Sequence, residues 1–393
     1  MTYPTIMPAI TLDFQNSQQL DPRVTFSRSS NATYLNPNTG LVTLAAENEA
    51  RFEKEGLLIE ESRTNYLSKY MTPNYNNNSA VFSNYSDARF GSEQNAFSYT
   101  FPGGVNVNGQ LGWSNPGSIN TPGNNVQYTF SGWIKANQAW TLVGYLRDER
   151  REDGNYAFDL TTEWQYFSVS TPAGITDDGV GTMYFFLQEN IPQDIPAGLK
   201  IDFACINLEV GGFPTSFIKT DPAAPNTVEI RAADIAQITG DNFGSWWNQS
   251  EGTQYADYTS LDPSTSTQQA LFLAIGPNAN YARGFKVFQP NPTISPESYY
   301  QVLDSVQLFN KSLPVGKRNA GAYKQDDYAF ANENGFVDGI TVAGTLSTPM
   351  TKCRINSSQT GNGSPLFIFS GHIARLAYYS ERLTDIQLEA ITL

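Results

Sequence analysis

The sequence predicts an all-β protein, with an N-terminal attachment arm followed by two antiparallel β-sandwich domains of jelly-roll type. Three observations carry that prediction. Charged residues make up only 16% of the 393 residues and aromatics 13%, against a usual charged share of about 25%. The 31 Gly and 22 Pro punctuate the chain and, with abundant Asn, Ser and Thr, favour short strands joined by turns over helices. Apolar and polar residues alternate with a period of two in run after run, as a half-buried strand requires.

Residues 1–64 read as the arm. Residues 24–26, 40–44 and 56–60 are short β-type runs, and NPNT at 36–39 is a turn sequence that folds its flanks back on each other. The stretch is too short and too polar to bury a core, so it is expected to pair with something larger. A chain starting at Asn65 would then stay folded and fail only in assembly.

The first sandwich is expected over 65–220. Its clearest strand is VQYTFSGWIKA, with Val126, Tyr128, Phe130 and Ile134 on one face and Gln127, Thr129, Ser131, Trp133 and Lys135 on the other. AWTLVGYLRD, NYAFDL, EWQYFSVS, TMYFFLQ and LKIDFACINLEV supply further strands, with PGNN and TDDG as turns. DPAAPNT opens a linker over 221–229, since two prolines and small residues resist regular structure. The second sandwich is expected over 230–393, from IRAADIAQI through QALFLAIG, YARGFKVFQ and LFIFSG to HIARLAYYS. LTDIQLEAITL then changes period. Thr384 and Gln387 form a capping-box pattern that predicts a short C-terminal helix over one end of the sandwich.

Several blocks carry a resemblance. VTFSRSSNATYL, ARFE, GLLIEESRTNYL, LEVGGFPTSFIKTD, IRAADIAQI and the terminal GHIARLAYYSERLTDIQLEAITL resemble, in the same order, blocks of tailed-bacteriophage virion proteins of the tail-fibre or minor structural group. The strands YTFSGWIKA and WQYFSV resemble those of jelly-roll carbohydrate-binding modules, and the C-terminal layout resembles concanavalin A-like or laminin G-like sandwiches. The resemblance implies residence in a virion, on tail or head. It also implies contact with other virion proteins through 1–64, a host-surface glycan as ligand, and a homo-oligomer, with a trimer favoured. No heptad run in the sequence specifies that trimer.

Composition excludes other classes. A net charge of −14 repels phosphate and argues against nucleic acid as partner. No run approaches the ~20 apolar residues of a membrane span, so no membrane insertion is expected. MTYPTIMPAITLDF lacks the basic and apolar regions of a signal peptide, which points to release by lysis within a particle. Cys205 and Cys353 lie apart, with no partner at metal spacing, and read as buried free thiols.

No catalytic residues are assigned, and no enzyme activity is expected. His372 is the only histidine, and its place in a strand suits a hydrogen-bonded sheet residue better than a general base. Glu149, Glu152 and Asp153 sit in a mixed-sign cluster, RDERRED, that reads as a solvated loop. No cofactor is expected. Asp326, Asp327 and Asp338, with Asn332 and Asn334, are the candidates for a calcium ion, which takes several oxygen ligands; solvated turns are the competing account.

Aromatic residues give the binding candidates. Trp133 falls on the polar register of its strand, Trp113 lies in the Gly/Asn/Pro-rich LGWSNPG, and Tyr145 shares a face with Arg147. Flat sugar faces stack on such rings, so Trp113, Trp133, Tyr145 and Arg147 form the expected glycan-binding set. Packing between subunits or domains is the alternative use of these rings. Trp246 and Trp247 precede a strand and are expected in core or edge packing. A tail fibre or receptor-binding adhesin is therefore the leading function. A capsid decoration or head-fibre protein is the alternative, and a glycan depolymerase the third.

Overall fold

The computed structural model describes residues 4–67, 81–85, 87–91, 96–107, 110–114, 127–147, 155–171, 184–188, 193–220, 228–262, 269–277, 281–288, 297–304, 306–314, 317–335, 337–340, 346–359, 365–366 and 368–393. Strands dominate, and the ladders between them are antiparallel. The chain folds as two compact units. One takes Met1–Ser29, Ala45–Glu61 and Ala232–Leu393, the other Ser30–Leu44 and Ser62–Arg231.

The segment expected as a separate arm is therefore divided between the units. The reason is that each of its runs meets a strand with unpaired backbone groups, which a sheet edge always presents. Ile10–Asp13 and Gly56–Ile59 pair in succession along Gly371–Tyr379. Arg51–Glu53 pairs with Gly56–Ile59, Thr25–Ser27 with Ile235–Thr239, and Arg63–Asn65 with Glu229–Arg231. Ala32–Leu35 and Val42–Ala45 pair with each other across the expected turn, where the Asn36 side chain accepts from the backbone of Asn38 and Thr39. The expected linker over 221–229 lies mostly outside the described residues. Its end, Glu229, is already in a strand of the second unit.

The first unit is a sandwich of an eight-stranded and a seven-stranded sheet. Leu57, Tyr258, Phe330, Ile373 and Tyr378 from one sheet and Ile238, Leu271, Phe285, Tyr300 and Val302 from the other share one buried cluster. Close approach needs Gly321, because a Cβ there would lie 2.0 Å from the Tyr300 ring. Trp246 is buried in this core, and Trp247 stacks on Tyr378 at 4.9 Å between ring centroids. The capping box forms as expected, with Thr384 and Gln387 bonding reciprocally at the start of Asp385–Thr392. The helix does not cover an end of the sandwich. It packs Leu388 on the outer face of the eight-stranded sheet, where Ala320, Ala322, Ala329 and Ala331 leave room for a second layer.

The second unit has a five-stranded sheet, in which Tyr128–Ala136 lies between Gln165–Ser170 and Lys200–Val210, and a four-stranded sheet that includes Trp140–Arg147. Tyr128, Phe130, Ile134, Phe167 and Phe203 are buried in its core together with Leu160. Cys205 and Cys353 are both buried free thiols, and burial pushes both well above the ordinary thiol range.

Buried ion pairs hold the strands contributed by the first 65 residues. In the first unit Asp234 accepts from Arg28 Nη1 at 3.0 Å, Arg51 Nη2 at 2.5 Å and the Glu60 backbone at 2.9 Å. Arg51 Nη1 also reaches Glu60 at 2.7 Å, and all four side chains are fully buried. In the second unit the Asn65 side chain makes five hydrogen bonds, to Ile206, Asn207, Ile218, Leu67 and Leu208. Beside it, buried Glu209 accepts from the Thr215 hydroxyl and backbone, and Arg231 donates to Thr215 and Ser216. Arg63 lies over the Phe213 ring at 4.5 Å. A Cβ at Gly211 would meet Arg63 Nη1 at 1.7 Å, and its φ of +132° suits glycine.

Burial raises the Glu209 carboxyl above its ordinary value, and the Arg231 and Arg63 charges and the Thr215 bonds only partly offset this. The folded state therefore binds this proton more tightly than the unfolded state. Its stabilising contribution is present at low pH and is lost as pH rises through the raised folded value. Relative to Glu209→Gln, the wild type should lose unfolding free energy as pH rises from the ordinary carboxylate range through that value. Urea titrations of both proteins at a series of pH values check this, and a pH-independent difference would contradict it.

Candidate functional site

The most developed surface cluster among the described residues lies on the five-stranded sheet of the second unit, on the face opposite its main core. It starts from a register irregularity. The ladder between Tyr128–Ala136 and Lys200–Val210 shifts between Ser131 and Trp133, where Cys205 has a φ of +52°. Strand alternation puts Phe130 and Ile134 inward and Trp133 outward, as the sequence predicts. The outward face is not bare. Phe90, Ala96, Ala204 and Cys205 are buried there, with Val42, Trp133, Trp164 and Phe217 packed against them.

Trp133 is half-buried and ringed by partners. Tyr166, directly opposite on the neighbouring strand, meets its ring edge-on at 5.5 Å, and Phe90 lies at 6.0 Å. The Arg89 guanidinium sits 4.4 Å from its centroid in a cation–π contact. A 3-10 turn, Ala88–Phe90, positions both Arg89 and Phe90, and Asp87 caps it. Phe90 in turn meets Trp164 edge-on at 4.8 Å, and Lys135 lies over the Trp164 ring at 4.6 Å. Trp164 Nε1 donates to Asp87 at 3.0 Å. Tyr166 is the part of this cluster that projects, at 49% exposure.

The structure places further residues beside Trp133. Trp133 orders the cluster, while Tyr166 and Arg89, neither of them singled out by the sequence, reach its surface. Tyr166 could have been found: it occupies the strand position opposite Trp133 in WQYFSV. Arg89 could not, because its contact depends on a turn more than forty positions away in sequence.

The other expected glycan residues lie on a different sheet. Trp113 is in Gln110–Ser114, and Tyr145 and Arg147 are in Trp140–Arg147, all within the four-stranded sheet. Trp113 pairs with Phe185 and Tyr145 with Phe186 on the shared partner strand, so the two stand opposite consecutive residues of that strand. Their side chains, and that of Arg147, lie outside the described residues. The acidic cluster at Glu149, Glu152 and Asp153 lies outside them as well.

Among the described calcium candidates, Asp326 and Asp327 lie apart from Asn332. Asp326 is in a turn with φ +62°, and Asp327 accepts from Arg382 Nη2 at 2.8 Å. Asn332 ends the strand Asp327–Asn332, roughly 16 Å further along at strand rise. Asp338 is paired with Phe330 in the ladder, and its side chain is not among those described. Calcium ligands must all lie within about 2.6 Å of one ion, so Asn332 cannot share an ion with Asp326 or Asp327 at that separation. Elsewhere, His372 Nε2 lies 2.9 Å from Glu53 Oε2, so the histidine is hydrogen-bonded within its sheet. Glu55 brings a third donor atom within 4.8 Å of these two, a grouping not seen from sequence because Glu53 and His372 are 319 positions apart.

No family model matches the chain, and no curated protein matches it. Among solved structures, it is similar to the CBM40 of the Ruminococcus gnavus IT-sialidase bound to alpha2,3 sialyllactose, with 17% identity, a TM-score of 0.31 and coverage of 37% of this chain and 84% of that one. It is also similar to the CBM22-1-CBM22-2 tandem domain of Paenibacillus barcinonensis Xyn10C, with 8% identity, a TM-score of 0.25 and coverage of 81% and 97%. A third similarity is to the tripod (BppUct-A-L) from the baseplate of bacteriophage Tuc2009, with 11% identity, a TM-score of 0.28 and coverage of 83% and 100%. These scores are low, and the assignment to all-β sandwich proteins rests on this chain's own ladders and cores.

Proposed function

We propose that this protein is a structural component of a bacteriophage particle that adheres to host-surface glycan, as a tail fibre or receptor-binding adhesin. The observation that carries the adhesive part is the cluster on the five-stranded sheet. An exposed tyrosine is held edge-on to a tryptophan, with two cations over neighbouring rings. Such a surface offers a flat apolar plane with hydrogen-bond donors at its rim, which suits the faces and hydroxyls of a sugar.

The virion part is supported by the ordered sequence blocks. Their polar residues form the two buried networks, so the blocks preserve a scaffold built from distant segments. Because residues 4–64 are largely paired within the chain, attachment to neighbouring virion proteins falls to the folded surface and not to a free arm.

Tyr166→Ala should lower glycan affinity by roughly tenfold, the effect of losing about 1.4 kcal/mol of aromatic contact, while leaving the melting temperature nearly unchanged. Affinity electrophoresis in host polysaccharide, beside calorimetric unfolding, checks both. Unchanged retention would remove this face as the glycan site. Electron microscopy of the intact particle tests location: density at the tail tip or along a fibre supports adhesion, whereas density on the head favours a decoration or head-fibre role.

A further inference from the structure

We propose that the glycan bound by this face carries a carboxylate, which the Arg89 guanidinium receives; this rests on the glycan-binding reading above. The local charges are unequally matched. Lys135 and Lys200 both face Asp202, at 3.9 and 3.2 Å. The Asp87 carboxylate, the acid nearest Arg89 in sequence, is engaged by N–H donors, from the Arg89 backbone at 3.0 Å and from Trp164 Nε1 at 3.0 Å. Arg89 is left with no acidic side chain and no carbonyl for its guanidinium among the described residues. Its Nε is buried without a hydrogen-bond partner, and its one described side-chain contact is the Trp133 ring.

In a chain of net charge −14, where acids outnumber bases, a guanidinium with no acidic partner among the described residues is a place for an anionic ligand. Its seat over the Trp133 ring, 4.4 Å from the centroid, restrains the side chain and lowers the entropy lost when it binds a ligand. The planar fork matches a carboxylate through two parallel N–H donors, a geometry that a neutral hydroxyl cannot use. Tyr166, 49% exposed and edge-on to the same tryptophan, supplies the adjoining plane for the ring that bears the acid. The chemistry therefore selects an acidic sugar, a uronic or nonulosonic acid, over a neutral one.

The test pairs acidic polysaccharides (polygalacturonate, alginate, hyaluronate and polysialate) with their carboxyl-reduced neutral counterparts and measures retention of the full chain by affinity electrophoresis. The expected result is at least a tenfold preference for the acidic member of one or more pairs. Arg89→Gln should abolish that preference and Arg89→Lys should keep part of it, and raised salt should weaken acidic retention selectively. Calorimetric unfolding of both variants separates a folding defect from a binding one, and the Lys variant keeps a positive charge beside Trp133. Equal retention of both members, retention of neutral members alone, or an acidic preference that survives in a folded Arg89→Gln protein would each overturn the carboxylate assignment while leaving glycan binding in place. Retention of neither member of any pair would overturn both readings.

Discussion

Asp234→Ala is expected to destabilise the first unit by about 3–5 kcal/mol, the range for breaking a buried ion pair by removing one partner. Asp234 lies between two fully buried guanidiniums, Arg28 and Arg51, and its carboxylate also accepts from the Glu60 backbone. Burial by itself would lower the pKa of Arg51, but the charges of Asp234 and Glu60 and the hydrogen bonds to both outweigh it and hold the group protonated. Removing the carboxylate leaves two cations in a dry site with Glu60 as the remaining acid, and neither can shed its proton near neutral pH. Urea unfolding of the variant reads the loss directly. A change below about 1 kcal/mol would mean that water reaches the site and solvates the arginines. The same argument reverses the expectation for a chain starting at Asn65. That truncation removes Arg28, Arg51 and Glu60 together with four strands of the first unit, so this unit should unfold instead of merely failing to assemble.

Trp133→Ala is expected to cost about 2–4 kcal/mol of stability, toward the lower side of the range for deleting a large aromatic from a core because the ring is only half-buried. The sequence suggested the opposite, a surface ring whose loss would abolish binding and leave melting unchanged. The contacts are the ground for the revised expectation. Phe90, Tyr166 and Arg89 all rest on Trp133, so its removal opens a cavity and frees the residues that form the surface. Glycan affinity should fall as well, indirectly, through lost positioning of Tyr166 and Arg89. Comparing Trp133→Ala with Tyr166→Ala separates the two roles. The first should lower both melting temperature and affinity, the second affinity almost alone. A Trp133→Ala protein that melts like the wild type would return Trp133 to the exposed binding role.

Much of the fold was legible in the sequence because its determinants are local. Alternation in YTFSGWIKA fixed which residues face the core, the NPNT turn formed its hairpin, and the Thr384–Gln387 pair capped its helix. Each of these depends on residues within about ten positions of one another. The candidate site was legible only in part. Trp133 showed itself as a tryptophan on a polar register, but part of its covering came from Arg89 and Phe90, contributed by a turn far from it in sequence.

The sequence by itself determined an all-β protein with short strands, defined turns and no long helix, because period and turn chemistry are properties of neighbouring residues. Only the tertiary structure decided where the N-terminal runs belong. A period of two specifies the face a strand presents to a core but says nothing about which edge it joins, and the burial of ions cannot be read from their spacing. Arg28 and Asp234 stand 206 positions apart, and only the folded chain brings them together in the first unit, in a site where neither charge can be left without the other.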